Sequence, residues 1–220
     1  SGIGRGWIEG RCRDPGLSTE ETHGRHMGTL AVAAHDHHDL LALCVKIGGD
    51  GSDSYFVDQV GDVVSETNAA AAGGSDLVTS EIDYSLGANV ENLQLAGAAV
   101  TGIGNSLDNR ITGTAGNNLL QGGLGNDTLD GGTGTDTASY AGATAGVTVT
   151  LATPGVQQNT LNAGTDTLTS IENLTGSAFN DTLTGSTSNN VLEGGAGNDS
   201  LDGGAGSDTV DGGSGDDRGV

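Results

Sequence analysis

Residues 176–220 read GSAFNDTLT, GSTSNNVLE, GGAGNDSLD, GGAGSDTVD and GGSGDDRGV, five blocks of nine without a gap. Four more blocks fill residues 104–139: GNSLDNRIT, GTAGNNLLQ, GGLGNDTLD and GGTGTDTAS. The shared pattern is Gly-Gly-x-Gly-x-Asp-x-apolar-x. A lone copy, GGDGSDSYF, stands at residues 48–56. The 36 residues between the arrays, 140–175, are four nines, so the sequence keeps the second array in register with the first.

Position 8 of the repeat holds Ile111, Leu120, Leu129, Ala138, Leu183, Leu192, Leu201 and Val210. One apolar side chain in nine residues cannot form a helix stripe, which needs three or four per two turns. It can supply the inward residue of a short strand. The Gly-rich residues before it allow backbone angles that other residues avoid and form a turn. Strand, turn, strand, turn makes an 18-residue coil. The expected fold is all-β, a parallel β-solenoid whose stacked coils share a thin apolar filling. Each coil buries little alone, so neighbours must stack.

Position 6 holds Asn109, Asn118, Asp127 and Asp136 in the first array and Asp181, Asn190, Asp199, Asp208 and Asp217 in the second. Residues 18 apart fall on one edge, so Asp181, Asp199 and Asp217 form one column and Asn190 and Asp208 the facing one. Carboxylates at strand spacing, about 5 Å, repel unless a cation lies between them. A hard cation with six or more oxygen ligands fits, with carbonyls of the Gly-rich turns completing its shell. Magnesium fits less well because it keeps its waters.

The whole chain has 220 residues, 41 of them Gly, with 3% aromatics and a formal charge of −22. Large side chains are too few for an ordinary globular core. The charge is uneven. Residues 1–47 carry five basic and six acidic residues, whereas 48–220 carry two basic and 23 acidic ones. That balance disfavours nucleic acid and anionic membranes, both of which need positive charge. No apolar run of about 18 residues suggests a membrane span, and no secretory leader is visible. Glycine does not fall at every third residue, which excludes collagen.

The nonapeptides resemble the RTX family, the calcium-binding repeats of secreted bacterial toxins, proteases, lipases and epimerases. The resemblance implies a parallel β-roll with several calcium ions in its turns. It also implies a ligand set: the carbonyls of positions 2 and 4 and the position-6 carboxylate of one turn, with carbonyls 1 and 3 and the carboxylate of the turn one coil later. Carried over, Ser177, Phe179, Asp181, Gly194, Ala196 and Asp199 hold one ion. Gly195, Gly197, Asp199, Gly212, Ser214 and Asp217 hold the next. Ser186, Ser188, Asn190, Gly203, Ala205 and Asp208 hold a third on the opposite edge. In the first array Asn109 pairs with Asp127 and Asn118 with Asp136. Asn keeps an oxygen but drops a charge, which weakens those two sites. Gly219 at position 8 departs from the pattern, so the last repeat is expected to fray.

Outside the arrays, residues 48–103 read as degenerate coils of the same kind, and 140–175 as spacer coils. GSDLVTSEIDYSLGANVENLQLAG from Gly74 parallels GTDTLTSIENLTG from Gly164. Val147, Val149 and Leu151 alternate apolar with polar and predict a longer strand. Residues 1–27 contain Ile8-Glu9-Gly10-Arg11, a commonly engineered protease site, and His26-Met27, which looks like a cloning junction. They are read as engineered or tail sequence and left out of the fold. Residues 28–47 form a short leader segment, suited to an amphipathic helix or a buried strand. Its His35, His37 and His38 beside Asp36 and Asp39 admit a transition metal, but the spacing fits no tetrahedral zinc pattern. Cys12 and Cys44 say little about compartment.

No HExxH, G-x-S-x-G or Lys-bearing phosphate loop is present, and the period-placed Asp residues already have a metal role. The expectation is therefore a non-enzymatic, monomeric, secreted module that folds on binding calcium. The chain stops inside a repeat, and is expected to be a fragment of a larger extracellular protein. The alternative is an interaction module, an adhesin segment or a polysaccharide-binding part.

Overall fold

The computed structural model describes residues 45–67 and 74–219. Cys12, Cys44 and the histidines of 35–38 lie outside the described residues. Among the described residues every regular element is a strand, mostly of three or four residues. None is a helix long and apolar enough to cross a membrane.

The strands stack as a parallel β-roll with two walls. One wall is a seven-stranded sheet ordered, along the stack, Tyr84–Ser85, Thr101–Ile103, Leu119–Gln121, Thr137–Ser139, Asn173–Thr175, Val191–Glu193 and Thr209–Asp211. The other wall is in two sheets. Its first part runs Ser54–Val57, Leu77–Ser80, Asn92–Leu95, Arg110–Thr112, Thr128–Asp130 and Gly164–Thr169, with Gln157–Leu161 at the edge. Its second part runs Thr148–Thr150, Thr182–Thr184, Ser200–Asp202 and Arg218–Gly219.

Register shows why one apolar residue in nine is enough. Tyr55, Val78, Leu93, Ile111, Leu129 and Leu168 are successive partners on one wall. Gly102, Leu120, Ala138, Leu174, Leu192 and Val210 are successive partners on the other. Val149, Leu183, Leu201 and Gly219 continue the first wall. Almost all of these side chains are buried. Each coil thus contributes one residue to each of two inward columns, and burial becomes complete only when coils stack. Within the arrays the partners are 18 residues apart, as the sequence predicts.

The spacer behaves differently. Ala138 pairs directly with Leu174, 36 residues on, so on that wall the four nines make one coil. On the other wall the same segment supplies three strands. Gly164–Thr169 pairs back to Thr128–Asp130, Gln157–Leu161 folds antiparallel onto it, and Thr148–Thr150 pairs forward to Thr182–Thr184. The expected longer strand around Val149 is three residues long, because this edge must turn at once into the hairpin. Val147, Val149 and Leu151 do all point inward. The last repeat, expected to fray, still pairs: Arg218 lies beside Ser200 and Gly219 beside Leu201, although both are exposed.

Candidate calcium-binding turns

The position-6 side chains form continuous ladders. The backbone N–H of Asn109 donates to Asp127 Oδ1 at 2.8 Å, and that of Asn118 to Asp136 Oδ1 at 2.7 Å. The N–H of Asp181 donates to Asp199 Oδ1 at 2.8 Å, that of Asp199 to Asp217 Oδ1 at 2.9 Å, and that of Asn190 to Asp208 Oδ1 at 2.9 Å. The pairs that sequence spacing puts 18 apart are therefore adjacent, on the two edges expected.

The ladders also contain residues outside the position-6 columns of the two arrays. Asp53 N–H donates to Asp76 Oδ1 and Asp76 N–H to Glu91 Oε2. Asp127 N–H donates to Asp166 Oδ1 and Asp136 N–H to Glu172 Oε2. A signal for them was present. Asp53, Asp76, Glu91, Asp166 and Glu172 each stand two residues before an inward partner: Tyr55, Val78, Leu93, Leu168 and Leu174. The parallel between the stretches from Gly74 and Gly164 is this shared placement of an Asp and a Glu in the ladders.

One carboxylate oxygen in each ladder bond faces the preceding coil. The second oxygen is more informative. Asp127 Oδ2, Asp136 Oδ2 and Asp199 Oδ2 are buried with no hydrogen-bond partner. A buried unpaired carboxylate oxygen is costly. Burial accordingly pushes the carboxyl of Asp127 up to about 7, and raises those of Asp136 and Asp199. Asp166 is also raised by burial, but its Oδ2 accepts from Tyr140 and Thr160.

The turns around these oxygens are packed backbone on backbone. A Cβ at Gly195 would strike the carbonyl oxygen of Ser177, and one at Gly197 would lie 2.6 Å from the carbonyl carbon of Phe179. Both glycines have left-handed φ, +106° and +123°. Only Gly lets the position-2 and position-4 carbonyls of one turn approach the next so closely. Partnerless carboxylate oxygens beside clustered carbonyls are an all-oxygen donor set, which suits calcium.

A further acidic group lies in the N-terminal coils. Carboxylate oxygens of Asp53, Glu66 and Asp76 all lie within 4.8 Å of one another, and all three residues are buried. The Tyr55 hydroxyl donates to Glu66 Oε2 at 2.7 Å. Burial pushes Asp76 up to about 7 and raises Asp53.

The family model of the RTX calcium-binding nonapeptide repeat, in four copies, matches residues 103–138, 162–193 and 184–218. Residues 103–138 and 162–218 belong to the RTX calcium-binding nonapeptide repeat family. RTX repeats bind calcium ions, and this one is a calcium-binding β-roll. The repeat is a structural element rather than a catalytic one. No curated protein matches the chain. The second matched segment begins inside the spacer, at residue 162, just before the Asp166 coil that carries the ladder across it.

Proposed function

We propose that this RTX β-roll is a calcium-triggered folding module of a larger secreted bacterial protein, and that it has no catalytic activity of its own. The observation that carries the reading is the set of buried, partnerless oxygens on Asp127, Asp136 and Asp199. The fold brings these carboxylates into columns that its own donors do not neutralise, and residues 48–220 offer only Arg110 and Arg218 as basic side chains. Without a divalent cation the repulsion and desolvation oppose stacking, and so little apolar surface cannot offset them. With calcium, binding energy becomes folding energy. Such a chain stays unfolded where calcium is scarce and folds where it is plentiful, which suits a protein that must leave the cell before it folds.

In this reading the position-6 carboxylates and the carbonyls of the Gly-rich turns hold the ions. Asp199 has a central place in the second array, with Asp181 on one side and Asp217 on the other. The first array offers Asp127 and Asp136 above Asn109 and Asn118.

Circular dichroism of the full chain tests the reading. In chelator at neutral pH the spectrum should be that of a disordered chain, and millimolar calcium should produce a β spectrum. Equal magnesium should do much less. A β spectrum indifferent to chelator would falsify it.

A second reading, glycan contact, rests on one wall. Leu77, Asn92, Gln94, Arg110 and Thr112 line a shallow depression on the outer side of the parallel sheet. Pull-down on immobilised polysaccharide, with and without calcium, distinguishes an interaction surface from a folding module alone.

A further inference from the structure

The nine turns of the two arrays are of two kinds, and position 2 separates them. In the turns starting at residues 104, 113, 176 and 185, position 2 is Asn105, Thr114, Ser177 or Ser186. None of these has a left-handed φ. Each directs its N–H at its own position-6 side chain: Asn105 to Asn109 Oδ1 at 2.7 Å, Thr114 to Asn118 Oδ1 at 2.7 Å, Ser177 to Asp181 Oδ2 at 2.6 Å and Ser186 to Asn190 Oδ1 at 2.6 Å. The hydroxyls of Thr114, Ser177 and Ser186 donate to the same side chains.

The other end of the position-6 group is also occupied. The amide of Asn109 donates to the carbonyls of Val90 and Glu91, that of Asn118 to Ala99 and Val100, and that of Asn190 to Glu172. Asp181, the one carboxylate among the four, accepts from Val147 N–H, Ser177 N–H and the Ser177 hydroxyl. These four side chains have protein partners on both sides.

In the turns starting at 122, 131, 194, 203 and 212, position 2 is Gly123, Gly132, Gly195, Gly204 or Gly213, every one with left-handed φ. None of these N–H groups donates to its own position-6 side chain. Gly132, Gly204 and Gly213 donate to Asp130, Asp202 and Asp211, the last residue of the preceding nonapeptide. The position-6 residue of all five turns is Asp, and the three most buried of these, Asp127, Asp136 and Asp199, are those with the unpaired oxygen.

We propose that the two turns opening each array are closed caps, whose position-6 side chains ligate no ion, and that only the turns with left-handed Gly at position 2 give calcium a carboxylate. The caps put hydrogen-bond donors where the later turns need a cation. Each array then has a calcium-independent first coil on which calcium-dependent coils stack. This rests on the calcium-module reading and removes Asn109, Asn118, Asp181 and Asn190 from the side-chain ligands that family resemblance implies.

The test counts bound calcium on the full chain by equilibrium dialysis, with titration calorimetry for affinity. Asp181→Asn should bind as many ions as the parent, whereas Asp199→Asn should bind about one or two fewer, since charged ligands dominate such sites. Asn118→Asp, which adds a carboxylate at a closed turn, should gain no ion. Circular dichroism in saturating calcium identifies any variant that has not folded, and Asn118→Asp decides the matter if Asp181→Asn does not fold. Loss of ions in a folded Asp181→Asn equal to that in Asp199→Asn overturns the proposal, as does an added ion in Asn118→Asp. A parent chain that binds no calcium removes the underlying reading as well, so the two failures are distinct.

Discussion

The Tyr140 hydroxyl donates to Asp166 Oδ2 at 3.1 Å, across the inside of the roll. Tyr140 follows the strand Thr137–Ser139 on one wall, and Asp166 lies within Gly164–Thr169 on the other. Both are buried. The bond, with that of Thr160 to the same oxygen at 3.0 Å, fixes the spacer coil where the nonapeptide pattern is interrupted. It also satisfies a ladder carboxylate by protein donors, in contrast to the neighbouring Asp127.

Tyr140→Phe should therefore weaken the calcium-loaded fold by about 1–3 kcal/mol, the cost of leaving a buried acceptor short of a donor. Denaturant unfolding in saturating calcium measures it. An unchanged midpoint would mean that the Thr160 bond alone holds the spacer.

Leu174 is fully buried between Ala138 and Leu192 at the one-coil crossing of the spacer. Leu174→Ala should cost about 2–5 kcal/mol, as cavity-forming core truncations do. Val210→Ala, on the last and partly exposed rung of that column, should cost clearly less. Equal losses would show that the column is not continuous in solution.

The turns at 194 and 212 are where two array turns with left-handed position-2 Gly stack directly on each other, with Gly195 at +106° and Gly213 at +85°. They place Asp199 beside Asp217. Two carboxylates at one ion should bind more tightly than one, since affinity in oxygen sites follows the number of charged ligands. Asp199→Ala should raise the calcium concentration at half-folding more than Asp136→Ala. The loss should spread to the C-terminal coils, because each coil supports the next. Calcium titrations followed by circular dichroism compare the two variants.

Acid should partly replace calcium. Asp76 is raised by burial from 3.8 to about 7, so the fold favours its protonated form. A carboxyl raised in this way contributes stability that is complete below pH 3.8 and lost as pH rises through about 7. In chelator, the β signal should thus be greater at pH 4.5 than at pH 8, with Asp76→Asn reducing the difference. A chelated chain equally disordered at both values would show that burial of Asp76 does not limit the calcium-free fold.

Much of this was legible in the residues. The period of nine, the single apolar residue at position 8 and the Gly-rich turn between them required parallel coils of 18 residues, because no other arrangement buries so sparse an apolar pattern. The same period placed Asp181, Asp199 and Asp217 on one edge. The spacer was not legible in this way. Its 36 residues fit two coils by arithmetic, but the antiparallel hairpin of Gln157–Leu161 with Gly164–Thr169 takes up length on one wall while the other advances by a single coil. Pairing partners so far apart are chosen by packing, not by local sequence. The state of each position-6 side chain was likewise a tertiary matter. Asp181 and Asp199 occupy the same place in the repeat, yet the residue four earlier is Ser177, whose N–H donates to Asp181, in one turn and the left-handed Gly195 in the other, and only Asp199 keeps an oxygen without a partner.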